Sequence, residues 1–166
     1  MKIKVSTLTN GKHEIPFNIN VEELKLEKPF EGDLSLICNL DKSDHQIIIN
    51  CNLEVDAYFT CDRCNSDFIQ TLDNEFQIVY FFDKESADGD KSNIRYLPEA
   101  ETTIDLTIDA IEYAKCSIPM KKLCDEDCKG LCSSCGINLN EEQCDCKNEE
   151  VNPVWDKLLE LKDKLN

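Results

Sequence analysis

Four short cysteine pairs carry the most recognisable chemistry in this chain. They are Cys61–Cys64 in CDRC, Cys124–Cys128 in CDEDC, Cys132–Cys135 in CSSC and Cys144–Cys146 in CDC. Thiolates are preferred ligands of structural zinc, which binds them tetrahedrally. Two cysteines separated by two residues wrap a turn around one ion and aim nearby backbone N–H groups at the sulfurs. Gly136 follows Cys135 directly, and glycine there permits the left-handed turn of a zinc knuckle.

Spacing favours one pairing over its rival. Cys132, Cys135, Cys144 and Cys146 close a site locally. Cys61 and Cys64 then join Cys124 and Cys128, tying a distant turn to the segment after Pro119. A rival site made of Cys124, Cys128, Cys132 and Cys135 would strand the CDRC pair. The expectation is therefore two structural zinc ions, four thiolates each, with no open position for substrate. Arg63 and Lys129, lying among the ligands, are candidates to donate to sulfur. Cys38, Cys51 and Cys116 are expected to be small buried hydrophobes.

No catalytic constellation competes with this reading. A redox CxxC opens a helix after a strand, whereas CDRC is followed by NSDFIQTL, a strand pattern. His13 and His45 lie in polar contexts without a partner nucleophile. No phosphate-cradling glycine loop occurs. The chain is expected not to be an enzyme.

The charge balance narrows the partners. The 34 Asp and Glu outnumber the 18 Lys and Arg, for a formal net charge of -16. Such a surface repels phosphate and either aids solubility or suits a basic partner. Only Arg63 and Arg95 offer a guanidinium, the usual bidentate reader of phosphate and guanine. The N-terminus shows no signal-peptide pattern, and no apolar run is long enough to span a bilayer. A cytoplasmic protein with no membrane partner is expected. In a reducing compartment, clustered cysteines suggest metal before disulfides.

These ligands need elements to hold them. Residues 1–82 read as strands: KIKVSTLT at Lys2–Thr9, LSLICNL at Leu34–Leu40, QIIINCNLEVDAYFT at Gln46–Thr60 and DFIQTLDNEFQIVYFF at Asp67–Phe82. CDRC falls at the tip of the hairpin between the last two. Residues 83–102 read as a mobile acidic loop. Asp105–Ile118 reads as a helix, with Asp105 as N-cap and Ile104, Ile108, Ile111 and Ala114 on its apolar face. Residues 119–166 form a cysteine-rich module, in which Met120–Glu150 carry almost no large apolar side chains and need a staple to fold. It ends in a helix capped by Asn152 and carrying Val154, Leu158, Leu161 and Leu165 on one face. The expected fold is α+β: a β-rich domain over 1–118, with an antiparallel, barrel-like sheet and a packed helix, then the zinc module.

CDRC, the IDL run at Ile104–Leu106 and the string IPMKKLCDEDCKGLCSSCGINLNEEQCDC resemble the YceD family, the large ribosomal RNA subunit accumulation proteins. The resemblance covers the chain in order, and its specificity rests on residues 61–64 and 117–146. It implies a role in synthesis, processing or stability of large-subunit ribosomal RNA, and a link to ribosome assembly. It carries over no catalytic residue. One departure stands at Asn152–Pro153: the family often places a basic residue after this turn, and here Val154 and Trp155 follow. The expected role is a ribosome biogenesis factor whose partner is a basic ribosomal protein or the pre-ribosomal large subunit. The alternative is a direct RNA-binding or processing factor that contacts ribosomal RNA through the zinc module.

Overall fold

Strict alternation of apolar and polar residues builds the central sheet. The computed structural model describes residues 1–87, 93–98 and 100–146. Five strands form the main sheet: β2 (Gly11–Asn20), β3 (Phe30–Lys42), β4 (Gln46–Thr60), β5 (Asp67–Phe81) and β6 (Ile94–Tyr96). They lie in chain order, antiparallel from β2 to β5, and β6 joins β5 in parallel. A separate pair joins β1 (Lys2–Lys4) to β7 (Thr103–Asp105) antiparallel. One helix, α1 (Thr107–Cys116), packs on β4 and β5.

Register places the core on one face. Cys38 opposes Cys51, Leu40 opposes Ile49, and Ile49 opposes Ile78. Leu34, Leu36, Leu40, Ile47, Ile49 and Leu53 are almost wholly buried. The helix closes this face with Leu106, Ala110 and Ala114, and Tyr113 stacks on Phe76 with centroids 4.1 Å apart. The other face stays exposed, as antiparallel sheets allow.

The sheet is open, not a barrel. β6 has three residues and runs parallel to β5, while β2 lies at the opposite edge. Pro16 lies within β2, an edge strand, where a residue without an N–H is tolerated.

Several expectations change in detail. The Lys2–Thr9 run is a strand only to Lys4 and turns into a 3-10 helix at Val5–Thr7. The 83–102 segment is not wholly a loop, since it supplies β6 and the buried Leu97. The helix starts two residues later than expected, and the Asp105 carboxylate accepts the Thr107 N–H at 2.9 Å from ahead of it. Its buried face is set by Leu106, Ala110 and Ala114, four residues apart, so Ile108 is 70% exposed. The helix expected from Asn152 onward lies outside the described residues.

Candidate metal centres

The β4–β5 hairpin tip presents the first cysteine pair. Cys61 N–H donates to the Ser66 carbonyl at 2.8 Å, and Asn65 N–H to the Cys61 carbonyl at 2.9 Å. Asn65 takes a left-handed φ of 58°, a conformation asparagine tolerates better than most residues. Thr60 donates to the Asp67 carboxylate at 2.7 Å across the neck of the hairpin.

The tail after Pro119 lies against this tip. Asp62 N–H donates to the Lys122 carbonyl, and Lys122 N–H to the Asp62 carboxylate, both at 2.8 Å. Arg63 donates to the carbonyls of Glu126 (3.1 Å) and Cys128 (2.9 Å). The Arg63 guanidinium therefore holds the tail backbone, and it is the Arg63 backbone N–H that serves a sulfur, that of Cys61. Lys129 is exposed, and its backbone N–H goes to the Asn140 side chain at 2.7 Å. Gly130 approaches so closely that a Cβ there would lie 3.0 Å from the Arg63 carbonyl oxygen.

These contacts bring the ligands together in two sets of four, Cys61/Cys64/Cys124/Cys128 and Cys132/Cys135/Cys144/Cys146. Within each set the sulfurs lie within 4.8 Å of one another. The rival set of Cys124, Cys128, Cys132 and Cys135 does not form. Cys61 and Cys128 sulfurs stand 3.8 Å apart, and Cys64 and Cys124 sulfurs 3.6 Å. A tetrahedron of sulfurs about 2.3 Å from a central zinc has edges of about 3.8 Å, so the first set fits that geometry. All eight are free thiols.

Neighbouring N–H groups and sulfurs set the acidity of the thiols in opposite directions within each cluster. Burial raises the Cys61 thiol, but backbone N–H groups of Cys124, Cys64 and Arg63 outweigh it and lower it to about 6. The hydroxyl and N–H of Ser66 lower Cys64. Cys124, crowded by the Cys64 sulfur, is pushed up to about 12. The second cluster repeats this split. N–H groups of Cys135 and Ser134 lower Cys132 to about 6, while the Cys135 sulfur pushes Cys146 up to about 12. Some sulfurs in each set are stabilised as thiolates and others are held as thiols by their neighbours. A bound divalent cation removes that conflict by stabilising every thiolate.

The two clusters differ in exposure. Cys61, Cys64 and Cys128 are buried and Cys124 exposed; in the second set only Cys132 is buried. Gly136 has the left-handed φ of 75° expected of the knuckle.

The remaining cysteines divide. Cys38 and Cys51 are buried opposite each other on β3 and β4, with sulfurs 3.2 Å apart. Cys116 is exposed at the helix end, against expectation, because the buried stripe of α1 ends at Ala114. The His13 ring contacts the Thr9 carbonyl at 2.8 Å, and His45 is exposed beside the β3–β4 turn.

Sequence reasoning missed the polar groups around the ligands. Asn140 donates to the Cys128 sulfur at 3.2 Å, and Asn138 to the Ser66 hydroxyl at 3.3 Å. The Asn-Leu-Asn string between the last two cysteine pairs is their visible trace.

An open, mostly antiparallel sheet clamped at a hairpin tip to a cysteine-rich tail, with two four-cysteine sets that could each hold a metal ion, defines a cysteine-stapled β protein. The sequence profile of the family described as large ribosomal RNA subunit accumulation protein YceD matches residues 49–162, so the chain belongs to that family. A chloroplastic YCED homolog 1 of Arabidopsis thaliana, described as a large ribosomal RNA subunit accumulation protein, is 31% identical over 75 residues. That match covers 45% of this chain and 23% of the plant protein. Its Zea mays counterpart is 35% identical over 57 residues, covering 34% of this chain and 20% of that protein. An uncharacterized protein of Mycobacterium tuberculosis is 23% identical over 146 residues, 88% of this chain and 69% of the relative. No solved structure matches the chain. No helix among the described residues is long and apolar enough to cross a membrane.

Proposed function

We propose that this chain is a non-enzymatic factor in large-subunit ribosomal RNA accumulation that binds a basic ribosomal protein or pre-ribosomal particle. Two structural zinc ions, one in each four-cysteine set, hold its tail on its sheet. The observation that carries the partner reading is the outer face of the sheet. Its exposed rows bear Glu14, Glu31, Glu54, Asp56, Asp73 and Glu75, and Lys12 is the cation on these rows among the described residues. A face of this sign draws a lysine- or arginine-rich protein and repels an RNA backbone.

The absence of an enzyme role rests on closed ligand sets, which leave no coordination position for substrate. A hollow of about 640 Å³ on the exposed face is lined by Lys12, Glu14, Asn39, Asp41, Asn50 and Gln77 among others. Within it the His13 ring is engaged with the Thr9 carbonyl, and no serine or cysteine lies at its wall.

The test is a pulldown of the full chain from its own cells, with and without ribonuclease. A ribosomal protein retained after digestion, and lost when Glu54, Asp73 and Glu75 are changed to Lys, supports this reading. Loss of every partner after digestion overturns it in favour of direct RNA contact through the zinc module.

A further inference from the structure

The segment between the CSSC and CDC pairs touches both metal sites. Its ends belong to the second site through Cys135 and Cys144. Its middle reaches the first. The Asn140 side chain is fully engaged there. Its oxygen accepts the Lys129 N–H at 2.7 Å, and its nitrogen donates to Asn138 at 2.8 Å and to the Cys128 sulfur at 3.2 Å. Asn138 in turn reaches Ser66 at 3.3 Å, and the Ser66 hydroxyl and N–H serve the Cys64 sulfur. One short segment thus supports two first-site ligands from opposite sides of the chain, Cys64 on the hairpin and Cys128 on the tail.

Otherwise the segment is held by short-range hydrogen bonds, among them Gly136 N–H to the Cys132 carbonyl at 2.9 Å and the Glu141 and Glu142 N–H groups to the Asn138 carbonyl at 3.1 and 3.0 Å. Cys132 N–H donates to the Ile137 carbonyl at 2.8 Å, Leu139 N–H to the Gly130 carbonyl at 2.9 Å, and Leu131 forms a single bridge with Asn138. Ile137, Asn138 and Leu139 are only half-buried, and Asn140 to Gln143 are exposed. Burial does not order such a segment; closure of the loop by a metal at Cys132, Cys135, Cys144 and Cys146 does.

We propose that Asn140 is a positioning residue that couples the two metal sites, so that filling the exposed second site raises the affinity of the buried first one. Groups that donate to a metal's ligands typically change its affinity about 10–100-fold. Such a donor acts only when it is held in place. An ordered 136–143 loop holds Asn140 against Cys128, and an empty second site releases it. By linkage the same factor returns to the second site when the first is filled. The consequence is stepwise, mutually reinforcing loading, with the exposed site open to exchange and the buried site responding to it. This inference rests on the reading of both clusters as metal sites.

The probe is Co²⁺, whose tetrahedral tetrathiolate complexes give visible absorption bands, titrated into the full-length, reduced, metal-free chain against a competing chelator. The variants are Cys144→Ser/Cys146→Ser, which disables the second site alone, Asn140→Ala, and all three changes together. Wild type should take up two ions with positive cooperativity. Cys144→Ser/Cys146→Ser should bind one ion about 10–100-fold more weakly than the first site of wild type. Asn140→Ala should weaken that site in the wild-type background and add nothing to Cys144→Ser/Cys146→Ser. Equal first-site affinity with and without the second site overturns the coupling, as does an Asn140→Ala effect of the same size in both backgrounds. Failure of the wild type to bind Co²⁺ at all overturns the metal reading itself. Far-ultraviolet circular dichroism of each metal-free variant separates misfolding from lost affinity, since the sheet core lies outside both sites.

Discussion

Arg95 and Asp109 meet as a two-point pair: one guanidinium nitrogen donates to Asp109 Oδ2 at 2.9 Å and the other to Oδ1 at 2.5 Å. The Asp109 side chain is almost buried, and Arg95 also reaches over Tyr80, with its central carbon 6.0 Å from the ring centroid. The pair ties β6 to the helix that covers the core. Removing one partner leaves the other charge without its counter-ion near the core. Asp109→Ala should therefore cost about 3 kcal/mol of stability, at the low end for a broken buried pair because Arg95 is partly solvated. Chemical denaturation measures it. Arg95→Leu with Asp109→Leu should restore much of the loss, since the pair's net contribution is smaller than the cost of breaking it.

Metal analysis of reduced protein should give close to two zinc per chain. Cys132→Ser/Cys135→Ser should lower this to about one, because the first set remains complete. A wild-type value near one would show that only one of the two sets is occupied. A value near zero would remove the metal reading.

Gly130 is a backbone requirement. Its φ is +77°, and an added Cβ would meet the Arg63 carbonyl oxygen at 3.0 Å. Gly130→Ala should strain this turn by about 1–2 kcal/mol and push the tail off the hairpin tip. The readouts are faster zinc release to a chelator and increased hydrogen exchange at Leu131, whose N–H donates to Arg63 at 3.1 Å. Gly11→Ala, with φ +120° and open space around it, should leave release unchanged.

Metal uptake should depend on pH in a stated direction. Cys61 and Cys132 are depressed to about 6 from an ordinary 9.0. A depressed acid contributes stability above its ordinary value that is lost as pH falls through its folded value. At neutral pH each cluster of the metal-free chain therefore has at least one sulfur disposed to be a thiolate and receive an ion. Zinc uptake by the metal-free protein should be rapid near neutrality and slow steeply as pH drops below about 6. A flat rate across that range would show that uptake does not begin at these two sulfurs.

Much of the fold was legible because local signals were strong. The period-two pattern from Gln46 to Thr60 and from Asp67 to Phe81 fixes two long strands, and CDRC between them can only be a hairpin tip. Where local and tertiary demands differed, the reading failed. Ile108 fits the apolar spacing of a helix, yet the approach of Leu106 and Ala110 to the sheet turns it to solvent. β6 is too short and too polar to announce itself. It exists because Arg95 finds Asp109 and because β5 offers an open edge.

The cysteine spacing by itself pointed to closed four-cysteine sets, because ligand type and local separation are sequence properties. It also made the two-site pairing the simplest one. Only the tertiary structure decided that pairing, since it depends on the Asp62–Lys122 and Arg63–Cys128 contacts that lay the tail on a hairpin some sixty residues away. The same is true of Asn138 and Asn140. An amide acquires a role at a sulfur only when folding places it there, and nothing in its local sequence records the distance.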